Sequence, residues 1–401
     1  MERIETDILV VGGGIAGLTA TCAFASAGLS ALCVDPAAAV TDGAAPGADL
    51  RSTAFLQPAR ATLEAAGLWA RLAPHAAPLR IMRLVDAGGP SPVERTRADF
   101  DAAELGEEPF GWNFPNWLLR REMQAHLEAL PGASLARTGF ARITPRLDHA
   151  LVRLTDGRMV RARLVIAADG RDSAVREALG IPVRRHSYGQ KALVFAVSHT
   201  EPHDDVSIEV HRTGGPFTLV PLPGAEGRHR SAVVWMEEGP EAVRLQALPR
   251  EALEAEIDRR SCGVLGRLTL ESGTALWPII SQLARRMNGP RTALVAEAAH
   301  VVPPIGAQGL NLSLKDIQCL VDLATAARAA GEDIGAPALL ARYHAARWPD
   351  CAARLAGIDA LNRAARFTAP GLRDLRRSGL ALLHGTPPLR RLAMRAGLGM
   401  R

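Results

Sequence analysis

Lysine is almost absent: only Lys191 and Lys315 occur in 401 residues, so nearly all of the 47 basic side chains are arginines. They are scattered among 42 acids with no basic block interleaved with aromatics, so the net charge of +5 does not describe a nucleic-acid-binding surface. The five cysteines, Cys22, Cys33, Cys262, Cys319 and Cys351, form no C-x-x-C pair and no metal-ligand spacing, and their number is odd. A disulfide framework and a metal site are therefore not expected, and the chain reads as reduced and cytoplasmic. A basic leader with a small-residue cleavage site is missing; the acidic, strand-forming MERIETDILVV stands there instead. The apolar stretch from Ile8 to Val34 is broken by Gly12, Gly13, Gly14, Gly17 and Gly28, which excludes a membrane span.

What is present begins with strand, helix and strand: TDILVVG, AGLTATCAFASAG and SALCVD. Gly12, Gly14 and Gly17 form G-x-G-x-x-G straight after the first strand. The first glycine permits the turn, the second lets backbone approach a pyrophosphate, and the third packs helix on strand. The helix N-terminus is left facing negative charge. Asp35, at the end of the second strand, stands where a ribose-binding acid belongs. This pattern predicts a dinucleotide and does not choose between NAD and FAD.

Two later blocks add to it. LVIAADGRDSAVREALG puts Asp169 and Gly170 at a strand end, with Arg171, Ser173 and Arg176 at a helix start. That grouping reads either as a ligand-facing rim or as an N-cap with a solvated first turn. In LVAEAAHVVPPIGAQGLNLSLKDI, a strand reaches Glu297 and His300, Pro303 and Pro304 delay the helix, and Gly306, Gln308 and Gly309 free the backbone before it begins. Amides there would face an electron-rich group. Elsewhere, helices are expected over 51–73 and 116–130, a hairpin turns at Asp156-Gly157, residues 183–277 read as β, and 312–398 as mostly helical.

The three blocks, with DLRSTAFLQPARATLEAAGLW, PNWLLRREMQAHLEAL, GPFTLVPLPG and LRRLAMRAGLG, resemble the FAD-dependent aromatic hydroxylases (group A flavoprotein monooxygenases), and within them the ubiquinone-biosynthesis hydroxylases. The resemblance spans nearly the whole chain. It implies an α/β fold (α+β overall): a Rossmann-like FAD-binding domain, an inserted β-sheet substrate domain and a helical C-terminal region. Residues 1–75, 111–182 and 278–340 would form the FAD-binding domain, 76–110 and 183–277 the substrate domain, and 341–401 the C-terminal region.

By the same resemblance, Gly12, Gly14, Ile15, Ala16 and Gly17 cradle the FAD pyrophosphate and Asp35 holds the adenosine ribose. Arg51 lies along the cofactor and Arg121 in a helix beside it. Asp169 and Gly170 serve FAD and the passing nicotinamide, and Gly306, Gln308, Gly309, Leu310 and Asn311 line the flavin's pyrimidine side. The family's Gly-Asp-Ala-Ala-His stands here as Ala296-Glu297-Ala298-Ala299-His300, so the acid expected at the ribityl chain is Glu297, one methylene longer, after an alanine that lacks glycine's backbone freedom. His300 is a candidate proton shuttle against the plainer reading of a packed core histidine. Trp112, Trp117, Trp235 and Trp277 are candidates for an apolar substrate cavity against core packing.

The implied activity is a monooxygenase: NAD(P)H or another reductant reduces the flavin, O2 adds at C4a, and the hydroperoxide hydroxylates an aromatic ring. The implied substrate is a polyprenylated phenol or quinol, and the implied partner a ubiquinone-biosynthesis complex. The tail carries Arg373, Arg376, Arg377, Arg390, Arg391, Arg395 and Arg401 against the single acid Asp374, interleaved with Leu, Ala and Met, which reads either as peripheral contact with the inner face of the membrane or as a solvated face on a core helix. The rivals are an NAD-dependent dehydrogenase, a flavin-poor scaffold of a biosynthetic complex, and a flavin hydroxylase acting on another aromatic compound.

Overall fold

The computed structural model describes residues 3–399 except 89, 90, 92, 107, 213, 226 and 366–369, and the side chains of 370–377 also lie outside the described set. β1 (Arg3–Val11), α1 (Ile15–Ser26) and β2 (Ala31–Val34) open the chain. β1 pairs in parallel with β2 on one side and with the Met159–Ala167 strand on the other. The sheet continues beyond Met159–Ala167 to Thr292–Leu294 and beyond β2 to Ala133–Ala136. An expected hairpin, Ala150–Leu154 against Met159–Ala167, turns through Asp156-Gly157, where Gly157 adopts φ 90°.

α1 has no polar face to give to water. Ala16 through Ala25 are all buried, because the helix lies between the sheet and the Asn116–Ala129 and Gln308–Ala329 helices. Both neighbours start near the places where the sequence predicts helices. The expectation of a helix from residue 51 is corrected at its start: Ser52–Leu56 is a strand paired with Gly111–Pro115, and the helix runs Gln57–Ala65. Pairing with a segment so distant in sequence overrides what local apolar spacing suggests.

Among the described residues a second sheet, of nine strands, is built around the long Val183–His199 strand, flanked by Arg228–Glu238 and Ala275–Ala284. Ile81–Asp86 and Thr96–Asp101 join it by parallel pairing of Ile81–Asp86 with Val206–His211. Alternate side chains point to opposite faces. Leu193, Phe195, Phe217, Val233 and Trp235 share a core with Leu253 and Ile257 of the Arg250–Ser261 helix. Ala192, Val194, Met236 and Ile279 form a separate apolar cluster with Ile305 and Ile358.

The Pro337–Ala365 helix ties the two sheets together. Tyr343 Oη donates to Leu294 O at 2.7 Å beside the first sheet, while Tyr188 Oη donates to Asp359 at 2.6 Å and Asn362 Nδ2 to Gln190 Oε1 at 3.0 Å beside the second. Among the described residues no helix is long and apolar enough to cross a membrane.

Candidate functional site

The turn after β1 is built by steric exclusion. Gly12 has φ 107°, and a Cβ there would sit 2.4 Å from the Ala168 carbonyl oxygen; one on Gly17 would sit 1.8 Å from the Gly12 carbonyl oxygen. Gly14, by contrast, faces open space. It is the N-cap of α1, with no side-chain cap and no acid in the first turn, so the amides at Ile15 and Ala16 carry the uncompensated positive end of the helix. Asp35 Oδ2 accepts from Gly13 N at 2.6 Å and Oδ1 from Ala37 N at 2.8 Å, which fixes the end of β2 against the glycine turn.

Gly12 contacts the second block directly, since the Ala168–Asp169 backbone lies against it. Asp169 is committed to capping: Oδ1 accepts from Ser173 Oγ at 2.5 Å and Oδ2 from Val175 N at 3.1 Å, and Ser173 Oγ in turn accepts from Arg176 N at 3.0 Å. The carboxylate thus holds the start of the Ala174–Ala178 helix, and Gly170, at φ 89°, has nothing within 4 Å of a notional Cβ. Ser173 is the N-cap of this helix, and Asp169 braces it from the end of the strand.

The third block is stitched to the second over a large sequence separation. Glu297 accepts two bonds from the Arg171 guanidinium, at 2.9 and 3.3 Å. Gln282 Nε2 donates to Arg171 O at 2.9 Å, and Arg176 Nη1 donates to Ala298 O at 3.0 Å. Ala296 sits in the left-handed region at φ 53°, a conformation natural to glycine. Gly306 and Ala307 follow with φ 62° and 55°, and the Gln308–Ala329 helix starts with no side-chain cap and no acid in its first turn. Two uncapped helix N-termini therefore belong to the same set of joined segments.

Arg51 closes one side. Its guanidinium donates to Asp49 at 2.7 and 2.8 Å, stacks 4.2 Å from the centroid of the Trp277 ring, and feels the Glu297 charge. Burial works to raise the Asp49 carboxyl, but the bonds from Arg51 and Asn116 overcome it and hold it below its ordinary range. The sequence reading did not find Asp49 or Asn116; the only signal available was an acid two residues before Arg51. Arg121 projects from the Asn116–Ala129 helix, bonded to Glu122 at 2.9 Å and 5.5 Å from the Trp117 ring.

Several expected contacts are placed differently. Asn311 is buried and its side chain fully engaged: Oδ1 accepts from Leu56 N at 2.8 Å, and Nδ2 donates to Ala54 O at 2.8 Å and Ala307 O at 2.6 Å. Its side chain anchors the glycine turn. Gln308 Nε2 donates to Gly306 O at 2.9 Å and to Gly397 O at 2.8 Å, while Leu310 packs against the main core. Gly309 leaves its notional Cβ no contact closer than 3.7 Å. Among the tryptophans, Trp112 packs on Trp69 and Trp235 on Phe217; only Trp277 combines the second sheet with Arg51.

His300 lies behind this surface, 3% exposed, with Nε2 2.6 Å from Asp316 Oδ2; Arg347 Nε donates to the other Asp316 oxygen at 2.8 Å. Burial lowers the imidazole pKa, and Asp316 more than reverses this, raising it to about 10. A histidine enclosed in an ion-pair cluster with Asp316 and Arg347 suits the reading of a packed core residue. The donor atoms of His300, Asp316 and Cys351 lie within 4.8 Å of one another, but the Arg347 cation already supplies the countercharge there.

Comparison with known proteins bears on this arrangement. The family described as FAD binding domain matches residues 5–356. Ubiquinone hydroxylase UbiL of Rhodospirillum rubrum is 37% identical over 397 residues, 98% of this chain and 89% of that protein. The 3-demethoxyubiquinol 3-hydroxylase of Escherichia coli is 29% identical over 402 residues, covering all of both chains. Among solved structures, p-nitrophenol 4-monooxygenase PnpA from Pseudomonas putida superposes with a TM-score of 0.80 at 19% identity over the whole of both chains, a likeness of fold.

Proposed function

We propose, from the premise that this chain belongs to the FAD-binding-domain family of flavin-dependent aromatic hydroxylases, that its substrate is a polyprenylated phenol or quinol of the ubiquinone pathway. The observation that carries the reading is the joining of residues 12–17, 169–176 and 296–311 into one surface by the Gly12–Ala168 contact and the Arg171–Glu297 pair. Support for the substrate class comes from the names of the ubiquinone hydroxylase relatives.

The residues present fit FAD. The open α1 terminus at Gly14, Ile15 and Ala16 suits the pyrophosphate, with Gly12 and Gly17 shaping the turn and Asp35 suited to the ribose. Arg51 and Arg121 would supply flanking cations, and Glu297, beside Arg171, would hold the ribityl chain. Asp169 and Gly170 hold the middle segment in place. The second uncapped terminus, at Gly306 to Gly309, provides amides for the electron-rich pyrimidine edge, with Gln308 and Asn311 bracing the turn and Leu310 backing it. Bound FAD supplies the redox and oxygen-transfer chemistry, with NAD(P)H and O2 as co-substrates. The chain's own work is to bind, orient and keep the ring out of water. A substrate of this kind resides in the bilayer, so we place the protein at the inner face of the membrane through its basic tail.

Purified protein is expected to be yellow and, given a reductant and a polyprenylated phenol, to insert one atom of isotopically labelled O2 into the product. A colourless preparation that takes up no added FAD would instead favour a flavin-poor scaffold, a reading motivated by the left-handed Ala296 and by the engagement of Glu297 with Arg171.

A further inference from the structure

The last two described helices, Pro370–Gly385 and Pro387–Leu398, form a hairpin whose second helix is anchored at both ends. At the second sheet, His384 Nε2 lies 3.1 Å from Asp99 O, and Arg390 Nε pairs with Glu104 at 2.9 Å. At the glycine turn of the flavin-facing helix, Gln308 donates to Gly397 O at 2.8 Å and Lys315 Nζ to Gly399 O at 3.0 Å. The hairpin thus strides from the substrate sheet to the candidate cofactor surface.

Its outer side does not look like a soluble surface. Helical spacing puts Leu389, Leu392 and Ala396 on one exposed stripe, with Leu389 41% and Leu392 65% exposed. Arg395 and Arg391, the latter 57% exposed with its Nε 3.9 Å from Glu104, form the adjacent stripe, and Arg390, Met394 and Leu398 turn inward. Leu382 of the preceding helix is 66% exposed. No acid occurs between 378 and 399. Two copies meeting on this face would set arginine against arginine, whereas an anionic bilayer offers acyl chains to the leucines and phosphates to the arginines.

We infer that this hairpin is the lipid-docking element, lying in the headgroup region with Leu382, Leu389 and Leu392 inserted and Arg391 and Arg395 on anionic headgroups. The inference deepens the proposed membrane contact and rests on it. It places the docked bilayer against the element that joins the second sheet to the glycine turn of the Gln308–Ala329 helix.

The test is flotation of the FAD-loaded full chain with vesicles of phosphatidylglycerol and phosphatidylcholine, against phosphatidylcholine alone. Wild type is expected to float with the anionic vesicles and to be released by salt. The double variant Leu389→Asp, Leu392→Asp should lose at least about tenfold in partitioning, and Arg391→Ala, Arg395→Ala roughly fivefold per arginine at low salt. Flavin absorbance and thermal midpoint show that each variant is folded. Undiminished flotation of the leucine variant, or no flotation of wild type, overturns the inference; so does a wild-type dimer that the leucine variant converts to monomer, which would mean that a second copy covers the face. Hydroxylation of detergent-dispersed substrate, measured in parallel, separates failure of this inference from failure of the hydroxylase reading.

Discussion

Gly12 and Ala168 approach so closely that a single added carbon on the glycine would lie 2.4 Å from the alanine's carbonyl oxygen. This contact joins the first and second sequence blocks, and it explains why the turn must be glycine on both steric and dihedral grounds. Gly12→Ala is therefore expected to destabilise the chain by at least about 1–3 kcal/mol, the usual range for forced overpacking, with a further cost from its positive φ. A denaturant midpoint equal to wild type would show that the two segments are not packed this way.

Ala296 offers the opposite experiment. An L-residue held left-handed costs roughly 1–2 kcal/mol, and glycine's greater freedom in the unfolded chain returns roughly 0.4–1 kcal/mol. Ala296→Gly should therefore stabilise by up to roughly 1.5 kcal/mol, seen as a higher urea midpoint at constant slope. A loss of stability would contradict the φ of 53°.

The glycine turn and Asp35 were legible because backbone geometry leaves few residues able to do those jobs. Ser52–Leu56 was not, since its strand identity comes from pairing with Gly111–Pro115, which local spacing does not encode. The Arg171–Glu297 pair spans 126 residues and was equally hidden. Asn311 was singled out by its motif, but the motif could not say that its amide would be spent on Leu56, Ala54 and Ala307. The family resemblance located the segments; only the fold assigned each side chain its partner.

Glu297 separates local stability from cofactor binding. Its side chain is 40% exposed, so its pair with Arg171 should add no more than about 1 kcal/mol to folding after solvent screening. If it also faces the ribityl chain, Glu297→Ala should weaken FAD affinity about tenfold, near the low end for a hydrogen bond to a charged group. A titration showing unchanged affinity with normal stability would leave Glu297 as a surface ion pair.

The His300–Asp316 pair predicts a pH dependence with a definite sign. The folded imidazole titrates at about 10 against an ordinary 6.5, so the folded state binds the extra proton between those values. Its contribution is fully present below 6.5 and is lost as pH rises towards 10. Unfolding free energy should fall across this alkaline window, and His300→Gln should flatten the slope while lowering stability near neutrality. An equal slope in the variant would remove His300 as the source.

Arg51 tests whether geometry or charge matters at the cofactor's flank. Lysine keeps the charge but not the two-pronged bond to Asp49 or the flat stack on Trp277. Arg51→Lys should therefore lower FAD affinity about tenfold, a charged hydrogen bond being worth roughly 1.5–3 kcal/mol. Trp277→Phe, which retains an aromatic face of weaker quadrupole, should cost less than about 1 kcal/mol. Affinities measured by ultrafiltration should rank wild type, Trp277→Phe, Arg51→Lys and Arg51→Ala in descending order. If the lysine variant matched wild type while the phenylalanine variant failed, the indole itself would be the contact, and Arg51 only its support.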